Sequence, residues 1–487
     1  MISVFFREQK RYERKDLFER FKFTEGRDCG ALNRILKKLE KHDVLKRVRK
    51  SDKQKDLTDL QVEDIETADE EKAEGICYYV FTFVGVIIIE GYTLMCYPKY
   101  LYDADEPKEE MKRIFKVLEK YKNSRKEDLL AYDNTDENSA SNRIAVMLFL
   151  LRDYFENGVY NVHRDIIETN GSGEILWDKT INETCTIISN NRPYYSELVT
   201  KKRMNDEMDY FRRLHESILS ECSSSLENSG LLEMLGLPPV KPSEEPIADF
   251  GEIDYMMNRI MKKIHIQFNT RRQIILKALY AYLANKNSVE DTDFYTYGTN
   301  SFNLVWEAVC AEVLGNRLYT ELGKLPHVIS EKYKNGNEQR KKLIELIETP
   351  RWNDDIYADQ TLTPDIISIE VVDGKCHLII SDAKYYNVQF KGDKYPVGLP
   401  GIDSITKQYL YELAYRNFIN DHDIKVVKNC FLFPTAEEKV IDGKAVSLDM
   451  LKKFNLQDIQ VRLLPAEEMY KHYINCTRKK ISELMLD

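Results

Sequence analysis

The chain has 487 residues, 43% of them hydrophobic and 31% charged, and a formal net charge of −10. This length predicts two to four domains with sizeable cores. No apolar run reaches the roughly 18 residues of a membrane-spanning helix, and the charged N-terminus MISVFFREQKRYERK does not fit a secretory signal. The nine cysteines are scattered without a Cys-x-x-Cys pair, which predicts reduced thiols in a cytoplasmic protein.

Charge is unevenly distributed at the front of the chain. Residues 1–50 carry sixteen Lys/Arg against eight Asp/Glu, whereas residues 51–75 carry three Lys against ten Asp/Glu. Helices are predicted at 15–22 and 28–42, followed by a strand at 44–48, and the second helix has an apolar stripe opposite a basic one. The apolar stripe is Leu32, Ile35, Leu36 and Leu39, and the basic one is Arg34, Lys37, Lys38 and Lys41. This order resembles a winged-helix module, whose second or third helix commonly enters the DNA major groove. The alternatives are a basic solvated helix face or a helix that binds a partner.

The middle of the chain alternates strand-rich and helix-rich segments. Residues 78–97, YYVFTFVGVIIIEGYTLMCY, predict two or three strands of a half-buried hairpin with a turn at Glu90 and Gly91. Helices are predicted at 107–122, 140–157, 201–234, 253–264 and 271–285, with a linker at 237–246. No GxxxxGK[ST] loop occurs in the sequence, so we expect any nucleotide-driven motor on another chain.

The most informative stretch is TPDIISIEVVDGKCHLIISDAKYY, residues 363–386. Two apolar runs flank Asp373 and Gly374, and Asp-Gly between such runs is a strong signal for a two-residue hairpin turn. Closing this turn pairs Val372 with Lys375 and thereby fixes the other pairs. On one face they are Val371 with Cys376, Ile369 with Leu378, Ile367 with Ile380, and Asp365 with Asp382.

At the open end of the hairpin, Asp365 and Asp382 are expected to face each other with Cβ atoms roughly 5 Å apart. Opposed carboxylates repel, and an oxygen-preferring cation, Mg²⁺ or alternatively Mn²⁺, removes that cost. Lys384 points to the same side as Asp382, where it can position a water or offset phosphate charge. The alternative is that both carboxylates only cap strand ends, but three charged groups brought together from two strands favour a metal site.

Two further helices flank this hairpin in the sequence. The helix predicted at 300–314 carries Glu307, and the helix predicted at 403–418 carries Gln408 and Tyr411 ahead of a strand at 425–433. Alternating helices and strands of this kind predict an α/β core with the site at a sheet edge.

With PD at 364–365 and DAK at 382–384, the sequence resembles the PD-(D/E)xK nuclease superfamily. Three further segments, FVGVIIIEGYTLMCYPKYL, FNLVWE and NGSGEILWDKTIN, resemble McrC-type proteins and, more closely, the LlaJI restriction endonuclease family. The resemblance implies a multidomain α+β or α/β protein whose C-terminal restriction-endonuclease-like core has a mixed sheet flanked by helices. The expected domains are a winged-helix-like basic module at 1–50, an acidic flexible loop at 51–76, a β-rich McrC-like domain at 77–200, a helical linker domain at 201–290 and the nuclease domain at 291–487.

The resemblance also implies a site and partners. Asp365 and Asp382 would ligate Mg²⁺ with the carbonyl of Ala383 and with Glu307, while Lys384 would orient the attacking water. Gln408 and Tyr411 would position Lys384 or the DNA backbone, or would only pack in the core. The implied partners are double-stranded DNA and a McrB-like AAA+ GTPase or ATPase, with dimerisation for double-strand cleavage.

Two other functions stay open at this point. One is a RecB- or Cas4-like exonuclease that acts on DNA ends in DNA repair, although Cys376, Cys430 and Cys476 are too scattered for the iron–sulfur cluster that such enzymes often carry. The other is a non-catalytic adaptor that binds DNA through residues 1–50 and stimulates a partner NTPase. An adaptor has no need of Asp365, Asp382 and Lys384 together, so the sequence favours the nuclease.

Overall fold

The computed structural model of the protein describes residues 2–24, 27–49, 77–123, 139–287, 294–325, 337–352, 356–372, 374–388, 399–446, 448 and 454–486. The expected acidic loop at 51–76 and Asp373 of the expected hairpin turn lie outside these ranges. The chain divides into two compact units, unit 1 (Met1–Arg125 with Tyr297–Asp487) and unit 2 (Lys126–Thr296). The domain boundaries drawn from the sequence stay predictions.

The protein is a mixed α/β protein, as predicted. Its strands are β1 (Ile2–Arg7), β2 (Arg11–Tyr12), β3 (Leu45–Arg49), β4 (Cys77–Phe81), β5 (Val84–Ile89), β6 (Tyr92–Tyr97), β7 (His163–Thr169), β8 (Glu174–Ile175), β9 (Thr186–Ser189), β10 (Arg192–Tyr195), β11 (Val199–Asn205), β12 (Phe294–Thr299), β13 (Arg351–Trp352), β14 (Ile356–Tyr357), β15 (Ile366–Val372), β16 (Lys375–Ala383), β17 (Val426–Thr435), β18 (Ile441–Val446) and β19 (Ile459–Pro465). Its helices are α1 (Arg14–Arg20), α2 (Cys29–Lys41), α3 (Lys108–Asn123), α4 (Ser139–Asn157), α5 (Trp177–Glu183), α6 (Tyr210–Asn228), α7 (Leu231–Leu235), α8 (Ile253–Ile266), α9 (Thr270–Asn287), α10 (Phe302–Val313), α11 (Ile402–Ala414), α12 (Arg416–Asp421) and α13 (Ala466–Ile474).

The front of unit 1 contains two sheets. The larger has the order β1-β6-β5-β12, with β1 parallel and β5 antiparallel to β6. The chain turns between β5 and β6 at Glu90 and Gly91, whose φ angles are 43° and 83°, as a tight hairpin turn requires. This confirms the predicted turn, but β5 is buried along its whole length rather than half-buried. The smaller sheet, β2-β4-β3, belongs to the same segment as α1 and α2.

The sheet that carries the predicted site has the order β15-β16-β17-β19-β18. Its inner pairs are parallel and its outer pairs antiparallel, so it is a mixed sheet. The observed register between β15 and β16 runs from Val372–Lys375 to Ile366–Ser381, which confirms every predicted pair between them. Helix α11 covers this sheet, because Tyr411 belongs to the apolar cluster around β15 and β16 and Tyr409 to the cluster around β17 and β19.

Unit 2 consists of α4 to α9 with a β7-β11-β8 sheet and a β9–β10 hairpin. Residues 201–205 were predicted to be helical, and that prediction is wrong, because they extend β11 and pair with β7. Long-range strand pairing overrides the local helix propensity of Lys-Lys-Arg-Met. The predicted linker at 237–246 is fixed to α6, where Ser223 Oγ accepts a bond from Val240 N (2.9 Å) and Ser220 Oγ donates to Ser243 O (2.8 Å). Among the described residues, no helix is long and apolar enough to cross a membrane.

Candidate active site

The open end of the β15–β16 hairpin brings Asp365 and Asp382 together. The pairing of β15 with β16 ends with Ile366 opposite Ser381, and one further step places Asp365 opposite Asp382. Asp365 Oδ2 accepts a hydrogen bond from the backbone N–H of Ala383 at 3.0 Å. Asp382 is 5% exposed, so the pair sits in an environment of low dielectric at the strand ends.

The surroundings of Asp365 disfavour its charged form. Burial, a hydrogen bond with Asp382 and the charges of Asp382 and Glu307 raise the pKa of Asp365 to about 9. A carboxyl group whose pKa lies well above its ordinary value is the result expected when two carboxyl groups share a small volume without a cation. The pair therefore has the electrostatic character of a cation-binding site.

Lys384 completes the predicted triad. Its Nζ lies 2.9 Å from Asp382 Oδ2, and its side chain is 25% exposed. Its backbone N–H donates to Leu432 O at 2.9 Å, which fixes the residue beside β17 after β16 has ended. Burial opposes the charged ammonium, but the carboxylates of Asp382 and Asp365 outweigh it and raise the pKa of Lys384. The lysine is thus protonated and held at the carboxylate pair.

Helix α10 holds Glu307 near the pair. The neighbouring Trp306 is fully buried and donates from Nε1 to Leu432 O at 3.3 Å, so α10 is anchored to β17. Burial and the charge of Asp382 raise the pKa of Glu307. In the part of the chain that the structure describes, no group of three or more His, Cys, Asp or Glu side chains is arranged to hold a metal ion. Glu307 is therefore a neighbour of the carboxylate pair, and its role as a ligand stays a prediction.

Gln408 and Tyr411 lie on α11 and contact backbone on either side of the pair. Gln408 is fully buried and donates from Nε2 to Ile380 O at 2.8 Å, while its Oε1 has no hydrogen-bond partner among the described residues. Tyr411 donates from Oη to Thr363 O at 3.1 Å, and burial with the nearby carboxylates raises its pKa to about 12. The two residues thus bind backbone carbonyls two positions before Asp382 and two positions before Asp365. Their expected role in positioning Lys384 or the DNA backbone stays a prediction.

Sequence reasoning missed Asn316, which fixes the start of β15. Its Nδ2 donates to Asp365 O at 2.9 Å, and its Oδ1 accepts from Ile367 N at 3.1 Å and from Leu318 N at 3.0 Å. An asparagine two residues after the C-terminal cap of a helix is usually a turn residue, so the sequence contained no signal for this contact.

A buried polar network behind Lys384 was also missed. Tyr385 Oη donates to Glu8 Oε2 at 2.5 Å, and the backbone N–H of Lys99 lies 3.3 Å from the same carboxylate oxygen. Lys99 Nζ donates to Gln9 Oε1 at 2.9 Å and lies 4.8 Å from the centre of the Tyr385 ring. Glu8, Lys99 and Tyr385 are each at most 5% exposed. The network ties β1 and the segment after β6 to the residue that follows Lys384.

The family of the protein follows from a comparison with protein-family models. Residues 83–329 and 327–465 match the LlaJI restriction endonuclease model. These matches span well over half of the chain, so the protein belongs to the LlaJI restriction endonuclease family. Its class is thus that of restriction-system nucleases, enzymes that act on DNA, as the quoted segments indicated.

Individual relatives are more distant. The chain is similar to the type II restriction enzyme BsuMI component YdjA of Bacillus subtilis (strain 168), with 29% identity over 427 residues, which is 83% of this chain and 84% of the relative. It is also similar to a chain in the half-complex of Thermococcus gammatolerans McrB AAA+ hexamers with bound McrC, with 12% identity, a TM-score of 0.37 and coverage of 97% and 99% of the two chains. A chain in the cryo-EM structure of the McrBC complex of the same organism has 13% identity and a TM-score of 0.26, with coverage of 63% and 84%.

Proposed function

We propose that the protein is the Mg²⁺-dependent DNA endonuclease subunit of a McrBC/LlaJI-like restriction system, a type II/IV-like enzyme with a PD-(D/E)xK core. The observation that supports this most strongly is the convergence of Asp365, Asp382 and Lys384 at the end of one hairpin. Asp365 is distant in sequence from Asp382 and Lys384, and the register of β15 and β16 brings it beside them. Capping of strand ends would not require two carboxylates to share a low-dielectric site with a lysine.

The donor set suits Mg²⁺, and Mn²⁺ as its usual substitute. Mg²⁺ commonly takes one or two carboxylates and completes its octahedron with waters and substrate phosphate. Asp365 and Asp382 would hold it with the carbonyl of Ala383. The raised pKa of Asp365 reflects a free-energy cost of its charged form, and a bound cation would remove that cost. When bound, the metal supplies charge stabilisation at the phosphate under attack.

The protein residues have separate tasks in phosphodiester hydrolysis. Lys384 orients the attacking water and offsets the negative charge that develops on the phosphate. Asp382 lies near Glu307 and its charge contributes to the raised pKa of Glu307. Glu307 would either accept a proton from the attacking water or help to hold the cation, in which case the proton passes to solvent. Gln408 and Tyr411 act on backbone carbonyls and thereby keep the carboxylate pair in place. The P–O bond breaks as the water oxygen bonds to phosphorus, and the leaving oxygen is protonated from solvent.

We propose double-stranded DNA as the substrate and a McrB-like AAA+ GTPase or ATPase as the partner. The support is the family membership together with a sequence that contains no phosphate-binding loop of its own. Two active sites are needed to cut both strands, so we propose that the protein dimerises for double-strand cleavage. A cytoplasmic location accompanies this role.

The test is plasmid cleavage in Mg²⁺ or Mn²⁺, with and without a McrB-like AAA+ protein and with GTP or ATP. Asp382→Asn removes one carboxylate with little change of volume and should lower the cleavage rate at least 100-fold, since metal-bound charge stabilisation contributes several kcal/mol. Asp423→Asn is a matched control, because Asp423 lies far along the chain on an exposed turn with φ of 52°, a conformation that asparagine tolerates.

The outcomes separate the competing functions. Cleavage that requires the partner and a nucleotide and is lost only in Asp382→Asn would support the proposal. Equal cleavage by both variants would reject the site. Degradation from DNA ends alone would favour an exonuclease, and absence of cleavage with an intact stimulation of the partner NTPase would favour the adaptor.

A further inference from the structure

Helix α2 presents a continuous polar face to solvent. Its outward positions are Gly30, Asn33, Arg34, Lys37 and Lys41, all of them exposed. They follow the spacing i, i+3, i+4, i+7, i+11 of one helix face, and this face carries three positive charges and no acidic residue. The opposite face, Leu32, Ile35, Leu36 and Leu39, is at most 1% exposed. Packing therefore fixes which side of the helix faces outward.

The order of the surrounding elements resembles that of a winged-helix module. The chain order is β2, α1, α2, β3, β4, and the sheet order is β2-β4-β3. α2 is the second helix of the pair and leads into an antiparallel β3–β4 ribbon, the position that a recognition helix occupies in such modules. Arg14 Nη2 donates to Asn33 Oδ1 at 2.6 Å and so links the two helices.

The basic residues of this face are available to a ligand to different degrees. Arg34 is 68% exposed, and its Nε lies 3.9 Å from Glu90 Oε2, the limit of an ion pair. Lys38 lies beside the face and makes the closer contact to Glu90, at 3.2 Å. Glu90 is thus engaged mainly by Lys38, which leaves the outer guanidinium of Arg34 directed at solvent. A Cβ added at Gly30 would meet nothing within 4 Å, so the front of the face is open to close approach.

We propose that this face of α2 is a DNA-binding site, separate from the nuclease centre, that takes the phosphate backbone and major groove of duplex DNA. The family match begins at residue 83 and therefore assigns no role to α2. The helix has 13 residues and is about 20 Å long, and the α-helix diameter of roughly 10–12 Å fits the major groove of B-DNA, which is about 12 Å wide. The charge of the face is opposite in sign to that of the whole chain and complements the phosphate backbone of DNA. The same charge does little to disfavour a neutral or acidic protein surface, so a protein partner is the outcome that the experiment has to exclude.

The experiment measures binding of the full chain to a fluorescein-labelled 30-base-pair duplex by anisotropy in EDTA, where no cleavage occurs. The variant Arg34→Glu, Lys37→Glu, Lys41→Glu is compared with a control of equal charge change, Lys108→Glu, Lys116→Glu, Lys480→Glu, whose positions are also exposed. Loss of three phosphate contacts should weaken binding at least tenfold at 100 mM salt and lower the salt slope by about 2–3. The control should change affinity less than twofold.

The neutral variant Arg34→Gln, Lys37→Gln, Lys41→Gln should lose affinity to a smaller but measurable extent, and it covers the case in which the charge reversal impairs folding. Wild-type affinity in both α2 variants would overturn the proposal, as would an equal loss in the control, which would indicate diffuse charge attraction. Unchanged DNA affinity with lost association to the AAA+ protein would assign the face to a protein partner instead. Because the assay contains no metal, its result does not depend on whether the nuclease proposal holds.

Discussion

Removal of the Tyr385 hydroxyl tests whether the buried network behind Lys384 holds the site. Tyr385→Phe keeps the aromatic ring and its contacts with Tyr100 and Phe302. It deletes the donor that lies 2.5 Å from Glu8 Oε2. Burial raises the pKa of Glu8, and the bond from Tyr385 is among the interactions that oppose this rise. The substitution therefore leaves a buried carboxyl group with one donor fewer.

The size of the effect follows from burial. Both residues are at most 5% exposed, so water cannot replace the lost donor. A hydrogen bond to a charged group contributes about 1.5–3 kcal/mol, and the free energy of unfolding should fall by that amount. With an m-value of about 3 kcal/mol/M, the urea midpoint should fall by roughly 0.5–1 M.

The assay is urea unfolding followed by the fluorescence of Trp306, which is fully buried in unit 1. The background replaces Trp177 and Trp352, which are 53% and 69% exposed, with phenylalanine. In a Glu8→Gln background, Tyr385→Phe should cost at least 1 kcal/mol less, because the charged acceptor is gone. An unchanged midpoint, or an equal cost in both backgrounds, would refute the reasoning. Cleavage by Tyr385→Phe should fall more than binding of DNA if the network positions Lys384.

Three further predictions concern other positions in the fold. Gln408→Leu should lower stability by about 1–3 kcal/mol, since the Ile380 carbonyl loses a donor, and should reduce cleavage far less than loss of Asp382 does, as plasmid assays would reveal. Burial lowers the pKa of His215 to about 4, below its unfolded value of about 6.5. The stability associated with neutral His215 should therefore be present above pH 6.5 and be lost by up to about 1.4 kcal/mol per pH unit as the pH falls towards 4. Urea unfolding of His215→Gln should no longer show this slope. A Cβ at Gly298 would lie 2.2 Å from the carbonyl oxygen of Val84. Gly298→Ala should therefore separate β12 from β5 and lower the melting temperature by several degrees. An unchanged melting curve would contradict that packing.

Local patterns in the sequence were sufficient for part of this structure. The pairing of β15 with β16 was predictable because a two-residue turn fixes the register and the period of two then fixes the face of Asp365 and Asp382. The limits of α2 were predictable because its apolar residues recur at helical spacing. In each case a few neighbouring residues contain the whole signal.

Contacts between distant segments were not predictable. The bond from Tyr385 to Glu8 spans 377 residues, and the bond from Asn316 to Asp365 spans 49, so no local period encodes either. The helix predicted at 403–418 divides at Tyr415, which caps α11 and is fully buried with its Oη 3.3 Å from Leu343 O. Here tertiary packing ends a helix that propensity alone would continue.

The most direct test of the account compares metal binding with cleavage in Lys384→Met. This variant keeps Asp365 and Asp382 and replaces only the ammonium, which lies 2.9 Å from Asp382 Oδ2, with an apolar chain of similar length. Mn²⁺ affinity, measured by calorimetry, should be retained or increase, because a competing positive charge has been removed. Plasmid cleavage under the conditions that activate the wild type should fall at least 100-fold, the loss expected when a group that stabilises charge in the transition state is removed. Cleavage at the wild-type rate with normal Mn²⁺ binding would contradict the assignment of this site as the nuclease centre.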